Sequence, residues 1–180
     1  MARVSDVDPQ TLQPHARAVF EKYAFGYGPF RNQAAVFAHV PSAVVHQMGM
    51  LLELREQKNI PYRYVELAIV TVSKLNECEY CVGHHKPLLS AEGVSEAAAD
   101  NVLNFAEVTE FDDIDKLVIE YSIAVSNSPQ RIRDAMFERL RAHFSEAQVV
   151  ELTIRIALCG FYNRVNDALQ IDSEYATPPV

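Results

Sequence analysis

Apolar residues recur at helical spacing along nearly the whole chain, three and four positions apart. No segment shows the sustained alternation of apolar and polar residues that is typical of a half-buried strand. The pattern therefore predicts an all-α protein. We expect its helices near residues 11–24, 41–58, 61–75, 79–92, 95–106, 113–127, 130–143 and 146–169.

The residues at the predicted helix ends have suitable chemistry for starting and stopping a helix. Pro61 suits a first turn because that position needs no backbone N–H donor. Gly93 suits a helix exit, and Ser95 suits the N-cap of the next helix. Ser145 and Gln148 have the spacing of a capping box, in which each side chain binds the backbone N–H of the other residue.

Two segments resemble each other at an offset of 85 residues, "YVELAIV" at 64–70 and "VVELTIR" at 149–155. Each carries a glutamate among apolar residues, Glu66 or Glu151, in the second helix of a predicted hairpin. This similarity predicts an internal repeat; an accidental similarity of two amphipathic hairpins is the alternative. At the same offset, Cys78, Cys81 and His85 fall on Asn163, Asn166 and Gln170. We expect Glu151 and Asn163 to make structural hydrogen bonds.

The length of 180 residues fits one domain with its own core, preceded by an arm. We divide the sequence into an N-terminal helical arm, 1–40, and a helical domain, 41–180. The low and odd number of cysteines does not suggest a secreted disulfide framework. The charged N-terminus lacks an apolar segment, so we expect no signal peptide, and a cytoplasmic location.

The formal net charge of −8 argues against nucleic acid as a partner, because phosphate binding needs clustered Lys and Arg. No apolar stretch approaches the length of a membrane span, so we expect no membrane partner. Small molecules or other proteins are the expected partners.

Chemistry concentrates in "NECEYCVGHHK", residues 76–86, which places two cysteines three apart and two histidines directly after them. On a helix that begins near Cys78, positions 78, 81 and 85 lie along one stripe. His85 is then one turn beyond Cys81, whereas His84 is rotated by about 100° to the flank. A zinc site, a redox dithiol and a chance cluster of buried residues are the possible interpretations.

Glu66 is expected opposite His85, because helices 61–75 and 79–92 are joined by a short turn and should form an antiparallel hairpin. A carboxylate among apolar neighbours is costly unless another group binds it. An imidazole beside Cys81 meets that need, which suggests a proton relay from the thiol through His85 to Glu66.

Two thiols on adjacent turns form a redox centre. A helix N-terminus and a nearby imidazole favour the thiolate, which is the nucleophilic form of cysteine. The second thiol can capture an oxidised first one as a disulfide before sulfenic acid reacts further. Helical geometry favours Cys81 as the attacking thiol, and we expect Cys78 to lie nearer the exposed loop. The reverse assignment stays open, since thioredoxin-like pairs attack with the first cysteine.

The combination of Glu66, Cys78, Cys81 and His85, with eleven residues between Glu66 and Cys78 and three between Cys81 and His85, resembles the signature of the alkylhydroperoxidase D and carboxymuconolactone decarboxylase family. The resemblance covers residues 40–127 well and continues more loosely into "NRVNDAL". It implies an all-helical fold, trimers or hexamers, and a thiol-dependent peroxidase or disulfide oxidoreductase without metal or organic cofactor. A hydroperoxide and an external dithiol or protein reductant would be its partners.

The resemblance also implies site roles. Cys81 would attack the peroxide, Cys78 would resolve, and Glu66 with His85 would relay protons. Tyr80 would shape the pocket, and we add two histidines as pocket candidates, His84 and His46. His46 is interpreted first as an ordinary, partly buried histidine.

Other functions compete with this interpretation. The decarboxylases of the family lack the cysteine pair, but a lyase using Glu66 and His85 as acid and base is one alternative. A non-enzymatic redox-sensing or zinc-binding module is another, although a structural zinc site usually draws on a second ligand pair. We interpret Cys159 as a small buried residue without a redox role.

Overall fold

The computed structural model describes residues 2–175, and its regular structure is helical, with no strand among these residues. The described chain forms two compact units. One contains the residues up to Lys58 and those from Val165 onward, and the other is Asn59–Arg164. The all-α prediction is confirmed, whereas the predicted division at residue 40 stays a prediction.

Up to Lys58, the described part of the first unit contains four α-helical segments, α1 (Pro14–Lys22), α2 (Arg31–Phe37), α3 (Pro41–Ala43) and α4 (Gly49–Gln57). The π-helical segments Tyr23–Tyr27 and Val44–Met48 extend α1 and join α3 to α4. Helix α2 was not predicted. It follows the turn-rich sequence "GYGPF", and its residues from 33 to 37 are all buried, so it lacks an amphipathic pattern.

The second unit contains α5 (Tyr62–Leu75), α6 (Glu79–Ala91), α7 (Glu96–Asp100), α8 (Asp113–Asn127), α9 (Asp134–Arg141) and α10 (Glu146–Leu169) up to Arg164. Their boundaries match the predicted ones within a few residues, apart from α9, which begins after the short 3₁₀ turn Pro129–Arg131. The predicted α7 ends early and continues as a 3₁₀ turn, Val102–Asn104.

The predicted caps are present. The Ser95 hydroxyl accepts a hydrogen bond from the Ala98 N–H at 3.1 Å. The Gln148 side chain accepts from the Ser145 N–H at 2.8 Å, and the Ser145 hydroxyl accepts from the Gln148 N–H at 3.3 Å. Such caps satisfy N–H groups that a helix start leaves without partners, each contributing about 1 kcal/mol.

Helix α5 is the centre of the second unit. All of its residues from 65 to 73 are buried, and it packs between α6 and α8. Leu67 packs in one core with Val118 of α8 and Ile156 of α10. A helix that is buried on all sides has a nearly continuous apolar sequence. Any polar side chain between positions 65 and 73 is therefore buried in the interior, and Glu66 is such a residue.

The helix boundaries preserve the 85-residue offset of the sequence repeat. Helix α4, Gly49–Gln57, corresponds to positions 134–142, and α9 spans Asp134–Arg141. Helix α5 starts at Tyr62, which corresponds to position 147, and α10 starts at Glu146. The 85-residue repeat is therefore present in the positions of the helix boundaries as well as in the sequence.

Candidate active site

The cysteine pair lies at the turn between α5 and α6. Helix α5 ends at Leu75, Cys78 is the N-cap of α6, and α6 begins at Glu79. The Cys78 N–H donates to the Ser73 carbonyl at 2.9 Å, which ties the new helix to the end of the old one. Glu77 has φ of 57°, a left-handed conformation that non-glycine residues rarely adopt. The turn is thus a tight reversal held by backbone hydrogen bonds.

The reversal brings His85 against Glu66. The His85 Nδ1 lies 2.8 Å from the Glu66 Oε2, across 19 residues of sequence. Glu66 is completely buried and His85 is 8% exposed. With Glu66 ionised, Nδ1 must carry the proton, so the neutral ring keeps its lone pair on Nε2. The contact expected between the two arms of the hairpin is therefore present.

Glu66 has a second oxygen that this contact does not use. Its Oε1 is buried and has no hydrogen-bond partner among the described residues. A buried carboxylate oxygen in this state favours the approach of a proton or a hydrogen-bond donor. The side chain can therefore take part in proton exchange while it holds His85.

Both cysteines of the pair are buried thiols, and neither is in a disulfide. Cys78 is 0% exposed and Cys81 is 4% exposed. Cys78 lies next to the turn, as expected, but its side chain is no more exposed than that of Cys81. Cys81 lies in the first turn of the thirteen-residue helix α6, where the helix dipole favours negative charge.

The two predicted pocket residues of α6 contact each other. The Tyr80 and His84 rings stack with centroids 4.2 Å apart and planes 20° apart. The His84 Nδ1 lies 2.7 Å from the Tyr80 carbonyl oxygen, and His84 is 1% exposed. His84 therefore lies on the flank of the Cys81–His85 stripe, as expected, and is packed rather than solvated.

Helix α10 binds the turn that carries Cys78 through the side chain of Asn163. The Asn163 Oδ1 accepts from the Asn76 Nδ2 at 2.8 Å, and the Asn163 Nδ2 donates to the Ser73 hydroxyl at 3.3 Å. Asn163 thus binds both the end of α5 and the reversal that follows it, and its predicted structural role is confirmed. Ser73 and Asn76 were not predicted as site residues. Their position next to a helix break is the signal that could have indicated them.

Cys159 lies in the same polar cluster. Its sulfur is 3.3 Å from the Ser73 hydroxyl oxygen and 3.5 Å from the Ile69 carbonyl oxygen. Burial raises the pKa of the Cys159 thiol to about 12, and the nearby Cys78 and Glu66 also raise it, against the lowering effect of the Ser73 hydrogen bond. Cys159 is therefore a protonated thiol at neutral pH and a poor nucleophile.

His46 lies apart from these residues in sequence and is exposed. It belongs to the π-helical segment Val44–Met48 of the first unit, so the expectation of partial burial is wrong. Across residues 2–175, no group of three or more His, Cys, Asp or Glu side chains is arranged to hold a metal ion. None of the described helices has the length and apolar character needed to cross a membrane.

The fold and site define a class of protein: an all-α unit that buries a Cys-x-x-Cys pair at a helix start, beside a histidine–carboxylate pair. Residues 43–115 match the model of the carboxymuconolactone decarboxylase family. The matched region includes the whole α5–α6 hairpin. This match supports the resemblance to the alkylhydroperoxidase D and carboxymuconolactone decarboxylase family that the motif predicted.

Individual relatives agree with this assignment. The chain is similar to the uncharacterized protein YnjA of Escherichia coli K12, with 27% identity over 155 residues and 82% of each chain covered. Among solved structures, it is similar to the alkylhydroperoxidase AhpD core protein of Ralstonia eutropha JMP134, a peroxidase-related protein. The TM-score is 0.78 at 19% identity, covering 97% of this chain and 93% of that one.

A debrominase has the same fold. The debrominase Bmp8 in complex with 2,3,4-tribromopyrrole is similar with a TM-score of 0.76 at 22% identity, covering 97% of this chain and 95% of that one. The fold is thus shared by proteins named for more than one kind of chemistry.

Proposed function

We propose that the protein is a thiol-dependent peroxidase or disulfide oxidoreductase that reduces a hydroperoxide through the Cys78–Cys81 pair. The observation that carries this proposal is the 2.8 Å contact between His85 and the buried Glu66, in the hairpin that also presents both thiols. Reductive cleavage of an O–O bond requires a thiol nucleophile, a second thiol as reductant and a general acid–base pair, and this hairpin carries all of these groups.

The proposed reaction consumes one hydroperoxide and two thiols. The Cys81 thiolate attacks the terminal peroxide oxygen, the O–O bond breaks, and the departing alkoxide takes a proton to become an alcohol. Cys81 is then a sulfenic acid. The Cys78 thiolate attacks its sulfur, water leaves, and a Cys78–Cys81 disulfide forms. An external dithiol or protein reductant returns the two electrons by thiol–disulfide exchange.

His85 and Glu66 supply and remove the protons of these steps. His85 takes the proton from the attacking thiol and gives it to the alkoxide. Glu66 holds the ring in one tautomer through Nδ1 and stabilises the imidazolium that forms between the two transfers. Tyr80 and His84 form one wall of the substrate pocket, and their stacked rings keep that wall rigid. We also propose a cytoplasmic location and a homo-oligomeric assembly.

The test is mass spectrometry of the reduced protein after one equivalent of cumene hydroperoxide. A disulfide should map to Cys78 and Cys81, with one equivalent of alcohol released. Two free thiols in a folded protein after peroxide is added would contradict the proposal.

A parallel assay with 2,3,4-tribromopyrrole tests the debrominase type of reaction, in which the same two thiols would supply the electrons. Bromide release with no peroxide consumption would show that the substrate is a brominated compound rather than a hydroperoxide. The proposed role of the two thiols would then still hold. Turnover of a lactone substrate by a Cys78→Ser, Cys81→Ser double variant would instead support the lyase alternative.

A further inference from the structure

Helix α10 of the second unit exposes an apolar stripe that a helix facing water would not carry. Val150 is 57% exposed, Ile154 is 38% exposed and Phe161 is 40% exposed, and Ala157 between them is also exposed. The inner side of the same helix is buried in the core through Leu152, Ile156 and Cys159. The helix is thus apolar on two sides, whereas a surface helix normally has one apolar side.

The spacing of the exposed residues is that of a coiled-coil seam. Val150, Ile154, Ala157 and Phe161 are separated by four, three and four residues, which is the alternation of a and d positions in a heptad. At 100° per residue they fall within a sector of about 60°, and they extend over about 17 Å of helix. We call these four residues the α10 stripe.

We propose that the α10 stripe is a two-fold interface with a second copy of this chain, in which the two α10 helices pack antiparallel. With the two-fold axis between positions 155 and 156, each Val150 faces a Phe161 and each Ile154 faces an Ala157. Large side chains then meet smaller ones in every layer, which favours close packing.

The charges at the ends of the stripe favour the same arrangement. Glu146 lies one turn before Val150 and Arg164 lies three residues after Phe161, and both are exposed. About the same axis, Glu146 of one chain and Arg164 of the other differ by one residue, about 1.5 Å along the helix. Antiparallel packing therefore brings opposite charges together twice, whereas parallel packing would pair like charges. This self-complementarity identifies a second copy, rather than an unrelated partner, as the occupant.

The first experiment is sedimentation velocity of the full chain over a wide concentration range. The native chain should form a dimer or another even-numbered assembly, and Ile154→Glu should halve the mass of that assembly. The matched control is Leu103→Glu, which changes a residue of similar exposure (40%) elsewhere in the second unit and should leave the mass unchanged. Circular dichroism and thermal melting establish that each variant is folded, and Ile154→Ser replaces Ile154→Glu if that chain unfolds.

The interface would be overturned by a native chain that stays monomeric throughout, by an odd-numbered assembly, or by an assembly unchanged by the Ile154 variants. Loss of the assembly in Leu103→Glu as well would also overturn it, since the effect would not be specific to the stripe.

The second experiment tests the antiparallel direction by charge exchange. Arg164→Glu replaces two attractions by two repulsions, so the dissociation constant should rise about tenfold. Glu146→Arg combined with Arg164→Glu restores opposite charges and should return the constant to within about threefold of the native value. No recovery in the double variant would overturn the antiparallel arrangement.

Discussion

The two copies of the internal repeat begin alike and use their buried glutamates differently. In α5, Glu66 meets a histidine that lies 19 residues further along the chain, on a second helix. In α10, Glu151 meets Arg155 one turn further along the same helix, with the Arg155 Nη2 2.9 Å from the Glu151 Oε1. Both carboxylates are buried, at 0% and 5% exposure. Glu151 has a cationic partner on its own helix, whereas Glu66 is bound by an imidazole across a hairpin.

The difference arises where the first copy breaks its helix. Asn76 and Glu77 form the reversal, and Glu77 takes a left-handed conformation. Their equivalents at the 85-residue offset are Phe161 and Tyr162, and α10 runs through them without interruption. A two-residue reversal thus produces two facing helices where the second copy has one straight helix. Because the two helices face each other, the His85 imidazole reaches the Glu66 carboxylate.

The second copy supports the first. Asn163 occupies the position equivalent to Cys78, and its amide binds Ser73 near the end of α5 and Asn76 in the reversal. The position that carries the Cys78 thiol in the first copy therefore carries the Asn163 amide in the second copy. That amide supports the turn on which Cys78 lies. The comparison teaches that one repeat can divide into a reactive copy and a supporting copy.

The largest expected effect separates the roles of the two thiols. Cys81→Ser should abolish reaction with peroxide, because the thiolate at the start of α6 is lost. Cys78→Ser should still consume about one equivalent and stop with a sulfenic acid at Cys81. A dimedone-type probe followed by peptide mapping detects that acid. A labelled Cys78 in the Cys81→Ser protein would reverse the assignment.

Glu151→Gln should damage stability rather than chemistry. The change leaves the Arg155 guanidinium buried without its counter-charge, so the free energy of unfolding should fall by about 3 kcal/mol. Removing both partners, in Glu151→Gln with Arg155→Met, should recover much of this loss because no buried charge remains. Urea denaturation measures both variants. A lower peroxidase rate at a temperature where Glu151→Gln is fully folded would show that Glu151 also acts in the site.

Glu66→Gln should damage chemistry more than stability. Glutamine keeps the size and can still bind His85, but it can no longer stabilise an imidazolium, so turnover near neutral pH should fall about 10²-fold. The pH–rate profile should also shift to more alkaline pH. Steady-state rates between pH 5 and 9 check this result. An unchanged profile in a folded Glu66→Gln protein would remove Glu66 from the relay.

Sequence reasoning predicted the helices of the second unit because their apolar faces repeat at the helical period and their caps are local. It missed α2, whose buried residues carry no such period. The contact between Glu66 and His85 was predictable because a short turn fixes the level of two facing arms. The support by Ser73, Asn76 and Asn163 joins residues 87 positions apart, and it depends on the tertiary packing of α10 on α5.

The smallest expected effect concerns Cys159, the thiol that lies beside the reactive copy without belonging to it. Because burial raises its pKa from 9.0 to about 12 in the folded state, unfolding releases a proton from Cys159 above pH 9. The free energy of unfolding must then fall as the pH rises from the unfolded-state pKa of Cys159 to its folded-state pKa. At pH 10 the loss due to this thiol should be about 1 kcal/mol relative to pH 7. Cys159→Ser removes the titration and keeps a hydroxyl near Ser73. The drop in unfolding free energy from pH 7 to pH 10 should therefore be smaller in Cys159→Ser than in the native chain. Equal drops would show that Cys159 already titrates in the folded protein, which would place it among the reactive thiols after all.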